Sequence, residues 1–290
     1  MNQRMKVHLF KVVAVPDHAK LTDLLEEISN RTLEDRVESV GLQEMRLEAL
    51  EKPNDKCPYW LLDFTTMRFE NGPGKISKAI PIEGFDLAAN EGFGEETAAM
   101  FDEKSGYFLV QYNHHGPRAN AIAEYLSMCM KSETTVFSFQ VKLKETAEAR
   151  LHNKPLISKI HCKIASPSMS SSLRKQGAGL NSALSLSDNL DGKSIEIIIS
   201  AGRQKALGSG VHKILKTLRS CLSNGEDDVE VLRVGARKDL EDDIDEIDFI
   251  KEKEEFVFDG LELGPGRRFT RHSRWSALKR GRNHWKGVIK

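Results

Sequence analysis

Apolar positions recur along the chain with two periods, and the switches between them outline the elements. Met5–Val15 is rich in β-branched and aromatic residues and partly alternating, which predicts an opening strand ended by Pro16 and Asp17. Leu21, Leu24, Leu25 and Ile28 then fall on one helical face, predicting a helix over Asp17–Asn30 with Asp17 as its cap. Met45–Leu50 and Tyr59–Met67 read as strands around the turn Lys52–Pro58, and Asn71–Gly74 as a loop. Residues 77–105 carry no single period. Gly106–Tyr112 predicts a strand, His114–Pro117 a turn, and Pro117 opens a helix to about Met130 with Ile122, Leu126 and Cys129 inward. Val136–Leu143 predicts the strand that closes the first half.

After Glu145–Asn153 the second half begins. Pro155–Ala165 is strand-like, Ser166–Ser172 is a serine-rich break, and a helical or loop excursion with Gly177 and Gly179 follows. Ser194–Ser200 predicts a buried strand. Over Ser209–Leu222, Val211, Ile214, Leu215, Leu218 and Leu222 form one apolar stripe, the best helix in the chain. Val229–Val234 and Phe256–Leu261 are further strands, separated by a very acidic segment. The expected architecture is α+β in two lobes: 1–145, a mixed sheet with helices; 154–262, a smaller sheet with a helix and the dimer contact; and 263–290, a basic extension.

Composition narrows the class. The 290 residues, 39% hydrophobic and 30% charged, suit a folded protein. No run approaches ~18 apolar residues, and the first eleven residues carry no leader pattern, so a cytoplasmic protein without membrane span or secretory signal is expected. Cys57, Cys129, Cys162 and Cys221 are scattered and form no C-x-x-C, which fits reduced core residues better than a disulfide or zinc framework. The formal net charge is zero, but it is unevenly spread. Residues 226–262 hold 16 acids and 5 bases, whereas 264–290 hold 9 bases and no acid.

The strand, turn and helix of Gly106–Met130, with Phe108–Tyr112, Gly116-Pro117 and Leu126, together with the unit Leu156–Ala165, Asp191–Ser200, Ser209–Leu222 and Val229–Val234, resemble the RexA-like family of phage-exclusion, abortive-infection DNA-binding proteins. The resemblance is one of pattern, with few identities. It implies a non-enzymatic, cytoplasmic homodimer without cofactor. Such a protein would sense phage nucleic acid or nucleoprotein in antiphage defence and act with a membrane-protein effector; the weak sequence preference expected of its binding to duplex DNA comes instead from the phosphate contacts that the chain's basic residues would make. The Arg/Trp-rich C-terminus departs from that family.

Candidate chemistry lies mainly in two basic stretches. In the C-terminal stretch, Arg267, Arg268, Arg271, Arg274, Lys279, Arg280, Arg282 and Lys286 interleave with Phe269, Trp275 and Trp285. Guanidinium forks match phosphate oxygens, and aromatic faces stack on bases. The alternative is that these charges pair internally or across a dimer, for instance with the acidic residues 239–248. On helix Ser209–Leu222, His212, Lys216 and Arg219 share one side, with Lys213 beside them and Arg203 and Lys205 ahead, and Arg174 and Lys175 extend the set. A solvated helix face is the plainer reading. His114-His115 reads as a turn. A metal-dependent nuclease is the enzyme alternative, resting on Asp63 with Arg68 and Lys75, or on Glu196, in no recognised spacing. Gly72–Lys75 and Gly208–Gly210 lack the Walker order. A protein-docking module acting on a membrane partner, without nucleic acid, is the third class.

Overall fold

The computed structural model describes residues 3–16, 18–132, 134–165, 178–190, 192, 194–202, 205–222 and 229–289. β1 (Arg4–Val15) organises the larger sheet because it is long enough to serve two neighbours along one edge. Its first half pairs with β12 (Glu255–Asp259), from Arg4↔Asp259 to His8↔Glu255. Its second half pairs with β7 (Val136–Val141), from Phe10↔Val141 to Val15↔Val136. The other edge of β1 takes β6 (Tyr107–Tyr112), and the sheet continues through β5 (Phe93–Asp102), β4 (Trp60–Arg68), β3 (Gln43–Glu51) and β2 (Val37–Val40). All these pairings are antiparallel.

Because side chains alternate along a strand, this sheet has two apolar faces. Phe10, Trp60, Leu62, Phe64, Phe101 and Phe108 point to one. Met5, Val7, Leu9, Leu61, Met100 and Leu109 point to the other. The first face is covered by α1 (Leu21–Ser29) and α2 (Ala119–Cys129). Tyr125 fixes α2 over β3: its hydroxyl donates to the Arg36 carbonyl at 2.7 Å and accepts from the Leu47 N–H at 3.0 Å.

The smaller sheet packs on the same side. It comprises β8 (Leu156–Ala165), β9 (Ser194–Ser200), β10 (Val229–Arg237) and β11 (Asp245–Asp248), in the order β11-β10-β8-β9. α5 (Val211–Cys221) inserts Val211, Leu215 and Leu218 into the common core, the stripe its periodicity predicts. α3 (Glu145–Asn153) adds Ala147 to this side, and α4 (Ala178–Asn189) lies against β9. The second face of the larger sheet is covered by α6 (Arg271–His284), which buries Trp275, Ala277 and Leu278. The fold is therefore mixed α+β, with two antiparallel sheets.

Several elements differ from expectation. α1 begins at Leu21, where its apolar stripe begins to dock, and Asp17 lies outside the described residues. α3 forms over a segment whose only buried residue is Ala147, a stripe too narrow for the periodicity to reveal. β11 forms within the acidic run because Ile247 enters the core while Arg150 and Lys154 meet Asp245. The ambiguous stretch resolves into a long exposed excursion over residues 69–92, followed by β5. The largest difference concerns the C-terminus. β12, assigned by pattern to the second lobe, hydrogen-bonds to β1, and residues 271–289, taken as an extension, pack on the larger sheet.

Candidate nucleic-acid interface

The basic C-terminal stretch folds because half of its polarity is satisfied from below. Thr270 caps α6, its side chain accepting from the Ser273 N–H at 3.2 Å. The alternation that sends Leu61 and Met100 to the second face also sends Asp63, Glu96 and Asp102 there, and α6 brings the matching cations. Arg274, 3% exposed, grips Asp63 with two nitrogens, at 2.6 and 2.8 Å, and reaches Glu96 at 3.0 Å. Arg271 Nε donates to the same Asp63 at 3.0 Å. Arg268 donates to the Gly94 carbonyl at 2.8 Å and stands 3.3 Å from Glu96. Arg282 Nε meets Asp102 at 2.6 Å and lies over the Tyr59 ring. Burial pushes the Asp63 carboxyl upward, and the guanidiniums of Arg274 and Arg271 oppose that shift.

The two tryptophans are also structural. Trp275 Nε1 donates to the Leu62 carbonyl at 3.0 Å, and Trp285, fully buried, donates to Glu254 at 2.8 Å. Neither ring is free to stack on a base. Four of the arginines thus hold α6 on the sheet. Arg267, Lys279, Arg280 and Lys286 are left, and among the described residues none of them makes an ion pair. Arg280 stacks over Phe258 at 5.0 Å. Lys279 lies seven residues after the exposed His272 on one stripe, with Ser276 and Asn283 along it, Arg280 beside it and Lys286 in the turn beyond. The whole outward face of α6 carries no acid.

The second basic stretch divides differently. Arg219 is committed: it donates to Glu148 at 2.5 Å and to the Val141 carbonyl at 3.0 Å, tying α5 to α3 and β7. His212, Lys213 and Lys216 are exposed on α5, and Lys205 is exposed ahead of it. Arg203, Arg174 and Lys175 lie outside the described residues. α5 joins the core on the first face of the larger sheet and α6 lies on the second, so the fold does not merge the two basic groups into one surface.

The acidic residues 239–248 do not pair with the basic stretch among the described residues. They lie on the first face, where Asp245 binds Arg150 and Lys154 and is held down to about 2, chiefly by the Arg150 hydrogen bonds. The nuclease candidates are engaged too: both oxygens of Asp63 are taken by Arg274, and Glu196 meets His161 at 2.7 Å. His114 and His115 stack edge to face in their turn. No cluster of metal-ligating side chains forms among the described residues. The cavity lined by His8, Tyr112, Asn113 and Arg118 has room for about one water molecule. Cys57, Cys129 and Cys162 are free and buried, and desolvation pushes the thiols of Cys129 and Cys162 up to about 11.

Among the described residues, no helix is long and apolar enough to cross a membrane. No curated protein matches the chain. Residues 14–280 match one family, described as "Family of unknown function (DUF6731)".

Proposed function

The chain belongs to the DUF6731 family of unknown function, and we propose that it binds the phosphate backbone of duplex DNA through the outward face of α6, with little sequence preference. One observation carries the reading. After the fold has used Arg268, Arg271, Arg274 and Arg282, the cations that remain, Arg267, Lys279, Arg280 and Lys286, all belong to the stretch 264–290, which contains no acid. Unpaired cations of this kind attract polyanions, and phosphate contacts carry no sequence information. The acidic residues 239–248 lie on the opposite side of the larger sheet, so the charge asymmetry favours approach of DNA from the α6 side. A part in phage exclusion, with a membrane-protein effector, rests only on the resemblance of Gly106–Met130 and the second-half unit, and belongs to the same proposal.

Fluorescence anisotropy of a labelled duplex at several salt concentrations tests it. Affinity is expected to fall steeply with salt and to be equal for unrelated sequences. The triple variant K279E/R280E/K286E touches none of the clamping arginines. It should weaken all duplexes alike and shallow the log–log salt slope by about 0.9 per lost contact. Unchanged binding by that variant, or no binding by the wild type at low salt, would overturn the reading.

A further inference from the structure

Among the described residues β9 is an edge strand, hydrogen-bonded on one side to β8 in an unbroken register from Lys159↔Ser200 to Ala165↔Ser194. Its sequence is Ser-Ile-Glu-Ile-Ile-Ile-Ser. It has no proline, lysine, glycine or bulge, devices by which folded proteins make an edge unattractive to another strand, and its one charge, Glu196, meets His161 of the neighbouring β8 at 2.7 Å. Three of the other edges, those of β2, β11 and β12, are guarded. β2 is four residues long and carries Glu38; β11 is four residues, three of them acidic; β12 is five residues and ends in the Arg4–Asp259 ion pair. Apolar side chains also collect at β9. Ile198 is 57% exposed and Ile199 39%, and the adjoining α4 region leaves Leu186 61% and Leu190 73% exposed.

We propose that β9 pairs antiparallel with β9 of a second copy about a two-fold axis through Ile197, joining two four-stranded sheets into one of eight. The strand itself identifies the occupant. It is nearly palindromic about Ile197, so the isologous pairing sets Ser194 opposite Ser200, Ile195 opposite Ile199 and Ile197 opposite itself. On the core-facing side the two copies supply six isoleucines in a row. On the outward side Glu196 stands opposite the second copy's Ile198, so no like charges face each other directly, and each Glu196 keeps its own His161. A foreign strand would need the same alternation by coincidence, whereas a second copy has it by identity. The inference is independent of DNA binding.

Sedimentation velocity of the full chain over a wide concentration range tests it, with an expected mass of twice 32.6 kDa. I198E puts a carboxylate opposite Glu196 twice per dimer and should raise the dissociation constant at least about tenfold. I198K, which puts an ammonium there, should keep the dimer, and position 198 is exposed enough for both variants to keep the wild-type circular dichroism spectrum. Under a mild oxidant, S194C mixed with S200C should form cross-linked dimers, while either alone should not. A monomeric wild type overturns the proposal. So does a dimer that tolerates I198E, or one in which the S194C and S200C mixture fails to cross-link.

Discussion

The clamp between Asp63 and Arg274 makes the sharpest demand on the fold. Asp63 is fully buried and Arg274 is 3% exposed, so neither charge has water to fall back on. Among the described residues Arg274 Nε has no partner, so the group's binding is invested in Asp63 and Glu96. Breaking a buried pair by removing one partner costs about 3–5 kcal/mol, because the other charge is stranded. The two ends are unequal. Asp63→Asn leaves Arg274 with Glu96, which is partly solvated, so the loss belongs near the lower bound, about 3 kcal/mol. Arg274→Met leaves a fully buried carboxylate with Arg271 alone, and Arg271 is 43% exposed, so the loss belongs near the upper bound, about 5 kcal/mol. The double variant D63L/R274M strands nothing and should lie within about 1 kcal/mol of wild type, since a well-packed apolar pair can replace a buried ion pair at little cost. Urea unfolding of the four proteins gives the coupling free energy. If the two single losses simply add in the double variant, the residues do not act as a pair and the account of α6 as an electrostatically latched helix is wrong.

Two further predictions follow from the same packing. Deleting residues 264–290 uncovers Met5, Val7, Leu9, Met100 and Leu109 on the second face, so the truncated protein should bind a hydrophobic dye and lose cooperative unfolding; a truncated chain with the wild-type melting transition would contradict this. His8 titrates below its ordinary 6.5, with burial as the main cause. The unfolded chain therefore takes up the proton first: stability is full above pH 6.5 and falls as pH drops through that value. Glu255, lowered to about 2 chiefly by the neighbouring His8 imidazole, whose Nε2 stands 3.4 Å away, stays charged across this window, so the decline belongs to the imidazole. Melting temperatures from pH 8 to pH 5 should show the decline in wild type and a flatter profile in His8→Gln; parallel profiles would sink the assignment.

What the sequence discloses and what it hides follow from how each element is stabilised. α1 and α5 carry stripes at helical spacing, Leu21 to Ile28 and Val211 to Leu222, so their periodicity is enough to find them. β4 also announces itself, through the apolar run Tyr59–Met67, whereas β5 lies in a stretch with no single period; and the meaning of Asp63 depends on which face alternation assigns it and on what arrives there from 208 residues later. α6 has no such stripe. Its buried face includes Ser273, Arg274 and Gly281 beside Trp275, Ala277 and Leu278, so charge patterning alone reads it as an extension. Local signals for it did exist: Thr270 three residues before Ser273 is a capping spacing, and two tryptophans in an extension with no acid are costly to leave in water. The same reasoning separates the candidate site from the scaffold. Asp63, Glu96 and Asp102 lie on strands whose alternation turns them inward, so each demands a cation, and the cations nearest in space are consumed by that demand. Only after this subtraction do Arg267, Lys279, Arg280 and Lys286 stand out, because a basic run marks a binding surface through the charges its own fold leaves unspent.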